Sequence, residues 1–110
     1  MQVQVNTGNH IRGGDSMSAE VAGWVEQALD HFEDQLTRVE LHLNDVNSHK
    51  GGEADVRCLI EARVSGHEPI AVTHHAPNVE QAVRQAASKM ERALDAVIGK
   101  RQERARQGRP

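Results

Sequence analysis

The stretch Ala54-Asp55-Val56-Arg57-Cys58-Leu59-Ile60-Glu61-Ala62-Arg63-Val64-Ser65 alternates over its whole length. Val56, Cys58, Ile60, Ala62 and Val64 share one face, and Asp55, Arg57, Leu59, Glu61, Arg63 and Ser65 share the other. Successive side chains of a strand point to opposite sides, so this run predicts a long strand with one buried and one solvated face. Downstream, Gly66-His67-Glu68-Pro69 turns the chain, and Ile70-Ala71-Val72-Thr73-His74 reads as a strand able to form a hairpin with it. Upstream, Val39, Leu41 and Leu43 alternate with Glu40, His42 and Asn44 before a polar loop, Asn44 to Glu53, that holds Gly51-Gly52. Near the start, Gln2-Val3-Gln4-Val5-Asn6 alternates and stops at Thr7-Gly8-Asn9, which predicts a further short strand.

Two helical patterns supply the layer that the apolar strand faces need. After Gly13-Gly14, any of Asp15, Ser16 or Ser18 is suited to accept hydrogen bonds from the free amides of a helix start. Met17, Val21, Trp24, Val25, Ala28, Leu29, Phe32 and Leu36 then recur at steps of three and four, predicting a helix of about five turns with Trp24 and Phe32 in the core. Its outward face carries Glu20, Glu26, Asp30, Glu33 and Asp34. Later, Asn78 follows Pro77 as an N-cap with Gln81 three residues on, and Val79, Ala82, Val83, Ala86, Ala87, Met90, Leu94, Val97 and Ile98 form a second stripe. Gly99 marks the expected end of the packed part, with Lys100 to Arg106 as a possible exposed extension. The order is β-α-β-β-β-α, an α+β fold with a four-stranded mixed sheet and two helices packed on one face. The first two strands should be parallel across a right-handed helical crossover, and the last three an antiparallel meander.

At 110 residues the chain has room for one core. We expect the domain to span residues 1–106, with a disordered tail at 107–110. Trp24 and Phe32 are the only aromatics besides histidine, so no exposed stacking platform for bases is expected. Cys58 is the single cysteine, no stretch approaches the roughly 20 apolar residues of a membrane span, and the N-terminus lacks a signal-peptide pattern. A cytoplasmic protein with no membrane partner is expected. The net charge of −3 argues against indiscriminate nucleic-acid binding, but its distribution is uneven. From Pro77 onward eight basic residues stand against four acidic ones, a net of +4, and the remainder carries −7. Such asymmetry suits a basic surface aimed at a polyanion.

No constellation for catalysis emerges. The seven histidines have no metal-ligand spacing, and the neighbours His74 and His75 point to opposite faces of an extended segment. Cys58 occupies an inward strand position between Val56 and Ile60, the place of a small buried hydrophobe. No glycine-rich phosphate loop with a lysine leads from a strand into a helix. No catalytic residue, metal, cofactor or small-molecule substrate is expected. On the second helix, the turn of 100° per residue groups Lys89, Arg92 and Lys100 on one flank of the stripe, with Arg84 farther round. Arg101 follows, Arg57 and Arg63 project from the outer sheet face, and Lys50 sits in the glycine-containing loop. Lysine and arginine suit phosphate oxygens, arginine by bidentate contact, although an ordinary solvated helix face or surface loop would carry the same residues.

Several ordered pieces resemble one known family: Leu36-Thr37-Arg38-Val39-Glu40-Leu41-His42-Leu43, His49-Lys50-Gly51-Gly52, Arg57-Cys58, Ile60-Glu61-Ala62-Arg63 and Pro69-Ile70-Ala71-Val72-Thr73-His74. The resemblance is to hibernation-promoting factor and ribosome-associated inhibitor A, also called the sigma-54 modulation family. It implies a fold like that of a double-stranded-RNA-binding domain and lodging in the decoding channel of the small ribosomal subunit under stress or in stationary phase. There, members of the family exclude messenger and transfer RNA. The implied partner is the small subunit, its ribosomal RNA and proteins, met through Lys50, Arg57, Arg63, Arg84, Lys89, Arg92, Lys100 and Arg101. Members generally show basic residues on both helices, whereas the first helix here is acidic on its outward face. Two readings follow: RNA contact through the second helix and sheet loops, or a protein-interaction domain that docks a basic partner on the first helix without binding RNA.

Overall fold

The computed structural model describes residues 1–8, 11, 13–46 and 55–107, with side chains up to residue 100. Strand β1 (Gln2–Thr7) leads to helix α1 (Asp15–Ala28), a 3-10 helix (Asp30–Gln35) and strand β2 (Leu36–Asp45), and then to β3 (Val56–Val64), β4 (Ile70–Ala76) and helix α2 (Val79–Gln107). The sheet order is β1-β2-β3-β4. β1 runs parallel to β2, and β2, β3 and β4 form the antiparallel meander that the alternation predicts. The Gly51-Gly52 loop and the last three residues of the expected tail lie outside the described residues.

The long alternating strand is the centre of the packing. Val56, Cys58, Ile60, Ala62 and Val64 are all buried on one face, beside Val39, Leu41 and Leu43 of β2. Val21, Val25 and Leu29 of the first helical segment and Ala82, Val83, Ala86, Ala87, Met90, Leu94 and Ile98 of α2 close over them in one core. The turn between β3 and β4 places Gly66 at φ 72°, a left-handed conformation that glycine adopts without steric cost, and the His67 amide donates to the Val64 carbonyl at 3.1 Å.

The first helical segment differs from expectation in three ways. Gly14 occupies its N-cap and makes no side-chain cap bond, so none of Asp15, Ser16 and Ser18 caps it. Asp15 lies inside the first turn, where its negative charge complements the helix dipole. The α-helix stops at Ala28, short of five turns, and tightens into a 3-10 helix in which the Phe32 amide donates to the Leu29 carbonyl at 3.0 Å. Leu36, expected as the last residue of the helical stripe, instead opens β2 and pairs with Val64. The spacing of four from Phe32 and three from Val39 mimics a helix. In the sheet, Arg38 already faces Arg63, so Thr37 is an extra residue on β2, and this bulge lets both Leu36 and Val39 point inward.

The two aromatic rings also part company. Phe32 is buried at 4 % exposure, as expected. Trp24, expected in the core, lies half-buried at its margin, where the Arg84 guanidinium carbon stands 4.8 Å from the ring centroid. A basic side chain sixty positions away in the chain therefore shields the ring where helix packing does not. At the start of α2, Asn78 Oδ1 accepts from the Gln81 amide at 2.8 Å, the expected cap. The helix passes through Gly99 without interruption as far as Gln107, and up to residue 100, where the described side chains end, Ile98 is its last buried residue.

Phe32→Ala removes a fully enclosed ring and should destabilise the fold by about 3–5 kcal/mol. Trp24→Ala, at the margin, should cost less than that. Urea unfolding followed by far-UV circular dichroism measures both, and equal losses would contradict the placement of Trp24.

Candidate nucleic-acid interface

Helix α2 presents three different surfaces outside its buried stripe. On the flank beside the sheet edge, Lys89 is half-buried and its Nζ donates to the Thr73 carbonyl of β4 at 3.0 Å. On the opposite flank, Arg84 Nε lies 2.9 Å from Glu80 Oε2 while its guanidinium covers Trp24, and Glu91 Oε2 lies 3.6 Å from His31 Nε2. Arg92 is exposed on the crest between them. Lys100 is exposed just past Ile98, about 16 Å along the axis from Lys89 at 1.5 Å per residue. The structure thus keeps Lys89, Arg92 and Lys100 on one side of α2 and sets Arg84 apart, tied to α1. Arg101 is helical, and its side chain lies outside the described residues, as does Lys50 entirely.

Arg57 and Arg63 are exposed on the other side of the sheet, about 20 Å apart by the rise of a strand. They do not join the α2 residues in one patch. Arg57 pairs in register with Asn44 and His75, and His75 Nδ1 lies 3.0 Å from Asp55 Oδ1. Arg63 faces Arg38 of β2, a basic residue that sequence reasoning left out of the site. Arg38 Nε lies 2.8 Å from Glu40 Oε1, and its Nη2 also donates to Gln4 Oε1, while His42 Nε2 approaches the same Glu40 at 3.7 Å. Among the described residues, Glu61 forms no ion pair with Arg57 or Arg63. The signal for Arg38 was its place in the β2 alternation, obscured by the bulge just before it.

The acidic face of the first helical segment is equally distinct. Asp15, Glu20, Glu26, Asp30, Glu33 and Asp34 are all exposed, and no Lys or Arg occurs between Gly13 and Thr37. Cys58 is fully buried, and the loss of hydration around its thiolate pushes its pKa up to about 12. Among the described residues, no three His, Cys, Asp or Glu side chains stand together as a metal site, and no helix is long and apolar enough to cross a membrane.

The described residues thus form a mixed four-stranded sheet covered on one face by two helices, the second of which carries more basic than acidic residues. The family model described as sigma 54 modulation protein / S30EA ribosomal protein matches residues 3–102. The chain belongs to this family of ribosome-associated factors. Its fold is similar to that of the Thermus thermophilus Protein Y N-terminal domain, with a TM-score of 0.71 at 14 % identity over 88 % of this chain and 99 % of that one. A ribosomal subunit interface protein from Coxiella burnetii gives a TM-score of 0.67 at 15 % identity, covering 90 % of this chain and 99 % of its own. No curated protein sequence matches the chain significantly.

The Cys58 thiol should be inert while the fold is intact. At pH 8 a thiol-disulfide reagent should label the native protein far more slowly than protein in urea, because attack requires both opening of the core and ionisation. Equally fast labelling in the two states would contradict the burial of the strand face.

Proposed function

We propose that this chain is a hibernation factor that occupies the small ribosomal subunit in the cytoplasm under stress, holds ribosomal RNA through the basic side of α2, and acts by occupancy without chemistry. The working unit on this reading is residues 1–106. The observation that carries it is the segregation of charge on the fold: Arg92 and Lys100 are exposed on a helix whose opposite side is fixed in the core, and the carboxylate-rich segment lies elsewhere. Phosphates approaching α2 meet lysine and arginine backed by a rigid element, so little further ordering is needed on binding. Membership of a ribosome-associated family and the likeness to a ribosomal subunit interface protein support the same partner. Arg57 and Arg63, with Arg38 beside the latter, offer a second contact face across the sheet. Lys50 and Arg101 belong to the proposed RNA-binding set by sequence, and Arg84 belongs to it at the price of leaving Trp24.

A second reading has one specific observation in its favour, the six exposed carboxylates between Asp15 and Asp34. On that reading the first helical segment docks a basic protein and RNA is not touched.

Replacing Lys89, Arg92 and Lys100 with Gln should weaken cosedimentation with small subunits in sucrose gradients. Each lost phosphate contact should lower the slope of log K against log salt by about 0.7–0.9. Stability should change by less than about 0.5 kcal/mol at Arg92 and Lys100, which are exposed off the buried stripe, and by about 0.5–1.5 kcal/mol at half-buried Lys89, which loses its bond to the Thr73 carbonyl. Glu26, Asp30 and Glu33 changed together to Lys should leave binding intact or strengthen it. Full binding by the Gln variant together with loss of binding by the Lys variant would overturn the RNA reading in favour of a basic protein on the first helix.

A further inference from the structure

The sheet has two edges, β1 and β4, and they are finished differently. β4 is bracketed by Pro69 and Pro77, and Lys89 of α2 donates to its Thr73 carbonyl. Proteins commonly guard edge strands in this way, with proline, lysine or a covering element, because unpaired backbone groups template pairing with another chain. Among the described residues, β1 has none of these devices. Residues Met1 to Gly8 contain no charged side chain and no proline, and among the described residues β1 pairs with β2 alone.

The direction of its backbone groups follows from the register. The Gly8 amide donates to the Leu43 carbonyl at 2.7 Å, and Thr7 stands opposite Leu43. In a strand, neighbouring residues turn their backbone groups to opposite sides, so Gln4, Asn6 and Gly8 address β2. The N–H and C=O of Val3, Val5 and Thr7 therefore face the open edge. Around Val5 the chemistry is palindromic: an amide side chain on either side, Gln4 and Asn6, and then a β-branched residue on either side, Val3 and Thr7.

We propose that β1 is an interface with a second copy of this chain, the two β1 strands pairing antiparallel about a twofold axis through Val5. Val5 then faces its own copy, Val3 faces Thr7, and the three pairs exchange about six backbone hydrogen bonds. Gln4 of one copy meets Asn6 of the other on the solvent face. Gln4 Oε1 already accepts from Arg38 Nη2 and Asn6 Nδ2 donates to the Leu41 carbonyl at 3.2 Å, so the bond open to exchange between copies is the one within the strand, Gln4 Nε2 to Asn6 Oδ1 at 3.2 Å. A twofold contact requires a self-complementary surface, and an uncharged palindromic strand satisfies that without setting like charges opposite each other. The two sheets merge, and both α2 helices stay clear of the joint because they pack at β3 and β4.

The test needs no ribosomes and does not depend on the proposed RNA contact. Sedimentation equilibrium of the full chain should show a concentration-dependent monomer–dimer equilibrium. Under mild oxidation, Val5→Cys chains should cross-link at least about tenfold faster than Val3→Cys chains, since Val5 lies about 5.5 Å from its copy and Val3 about 14 Å from its own. An equimolar mixture of Val3→Cys and Thr7→Cys chains should link to each other, which gives a second readout if Val5→Cys fails to fold. Cys58 is buried and does not compete. A protein that stays monomeric at all concentrations, or Val3→Cys chains that self-link as fast as Val5→Cys chains, would overturn the proposal.

Discussion

The structure depends on one constraint: β3 is paired on both sides and buries every second residue, so its apolar face must be covered along its full length. Val56 to Val64 demand a layer of helix, and α2 supplies most of it through Ala82, Val83, Ala86, Ala87, Met90 and Leu94. The small residues Ala82, Ala86 and Ala87 let the helix approach the sheet closely, and Leu94 and Met90 fill the space that remains. With Phe32 the only fully enclosed aromatic, the core relies on many aliphatic contacts of roughly 1.5–3 kcal/mol each and on no single anchor. This commits one side of α2 and one side of the sheet entirely to stability. What is left for recognition is the reverse surfaces and the edges of the sheet.

The period of two in β1, β3 and β4 and the cap at Asn78 were legible because each is a local pattern whose physical cause lies within a few residues. The passage from α1 to β2 was not. Phe32, Leu36 and Val39 are spaced as a helix would space them, and only the pairing of Leu36 with Val64, almost thirty residues later, shows that a bulged strand begins there. Trp24 was misplaced for a related reason. A helical stripe says which residues share a side, but the depth of burial depends on what arrives from elsewhere, here Arg84. Long-range packing decides such cases, and a single segment carries no record of it.

The site shows the same division. The charge asymmetry along the chain was plain, and it survives as a basic α2 and an acidic first helical segment. Which cations share a face was only half legible. Helical geometry grouped Lys89, Arg92 and Lys100 correctly, but residues on separate elements can be related only through the sheet. Arg57 and Arg63 belong to the solvated side opposite α2, and Arg63 has Arg38 as its neighbour. Screening at physiological salt limits exposed charges to about 8 Å of influence, so these two groups present separate electrostatic surfaces to a partner.

A negative overall charge is compatible with the proposed binding to RNA once its placement is considered. A uniformly basic domain would bind any polyanion, and its occupancy of one site would be diluted over all others. On the proposed reading a phosphate-rich surface would attract α2 and repel the segment bearing Asp15, Glu20, Glu26, Asp30, Glu33 and Asp34, all of them exposed. Only orientations that turn those carboxylates away from phosphate are favourable, so the acidic face contributes specificity by penalising wrong encounters. The same face is then free to meet basic side chains, and a ribosome presents both chemistries in one place. On that proposed reading the carboxylates and the cations would select a pose together, and neither group alone would distinguish a ribosomal cleft from free RNA.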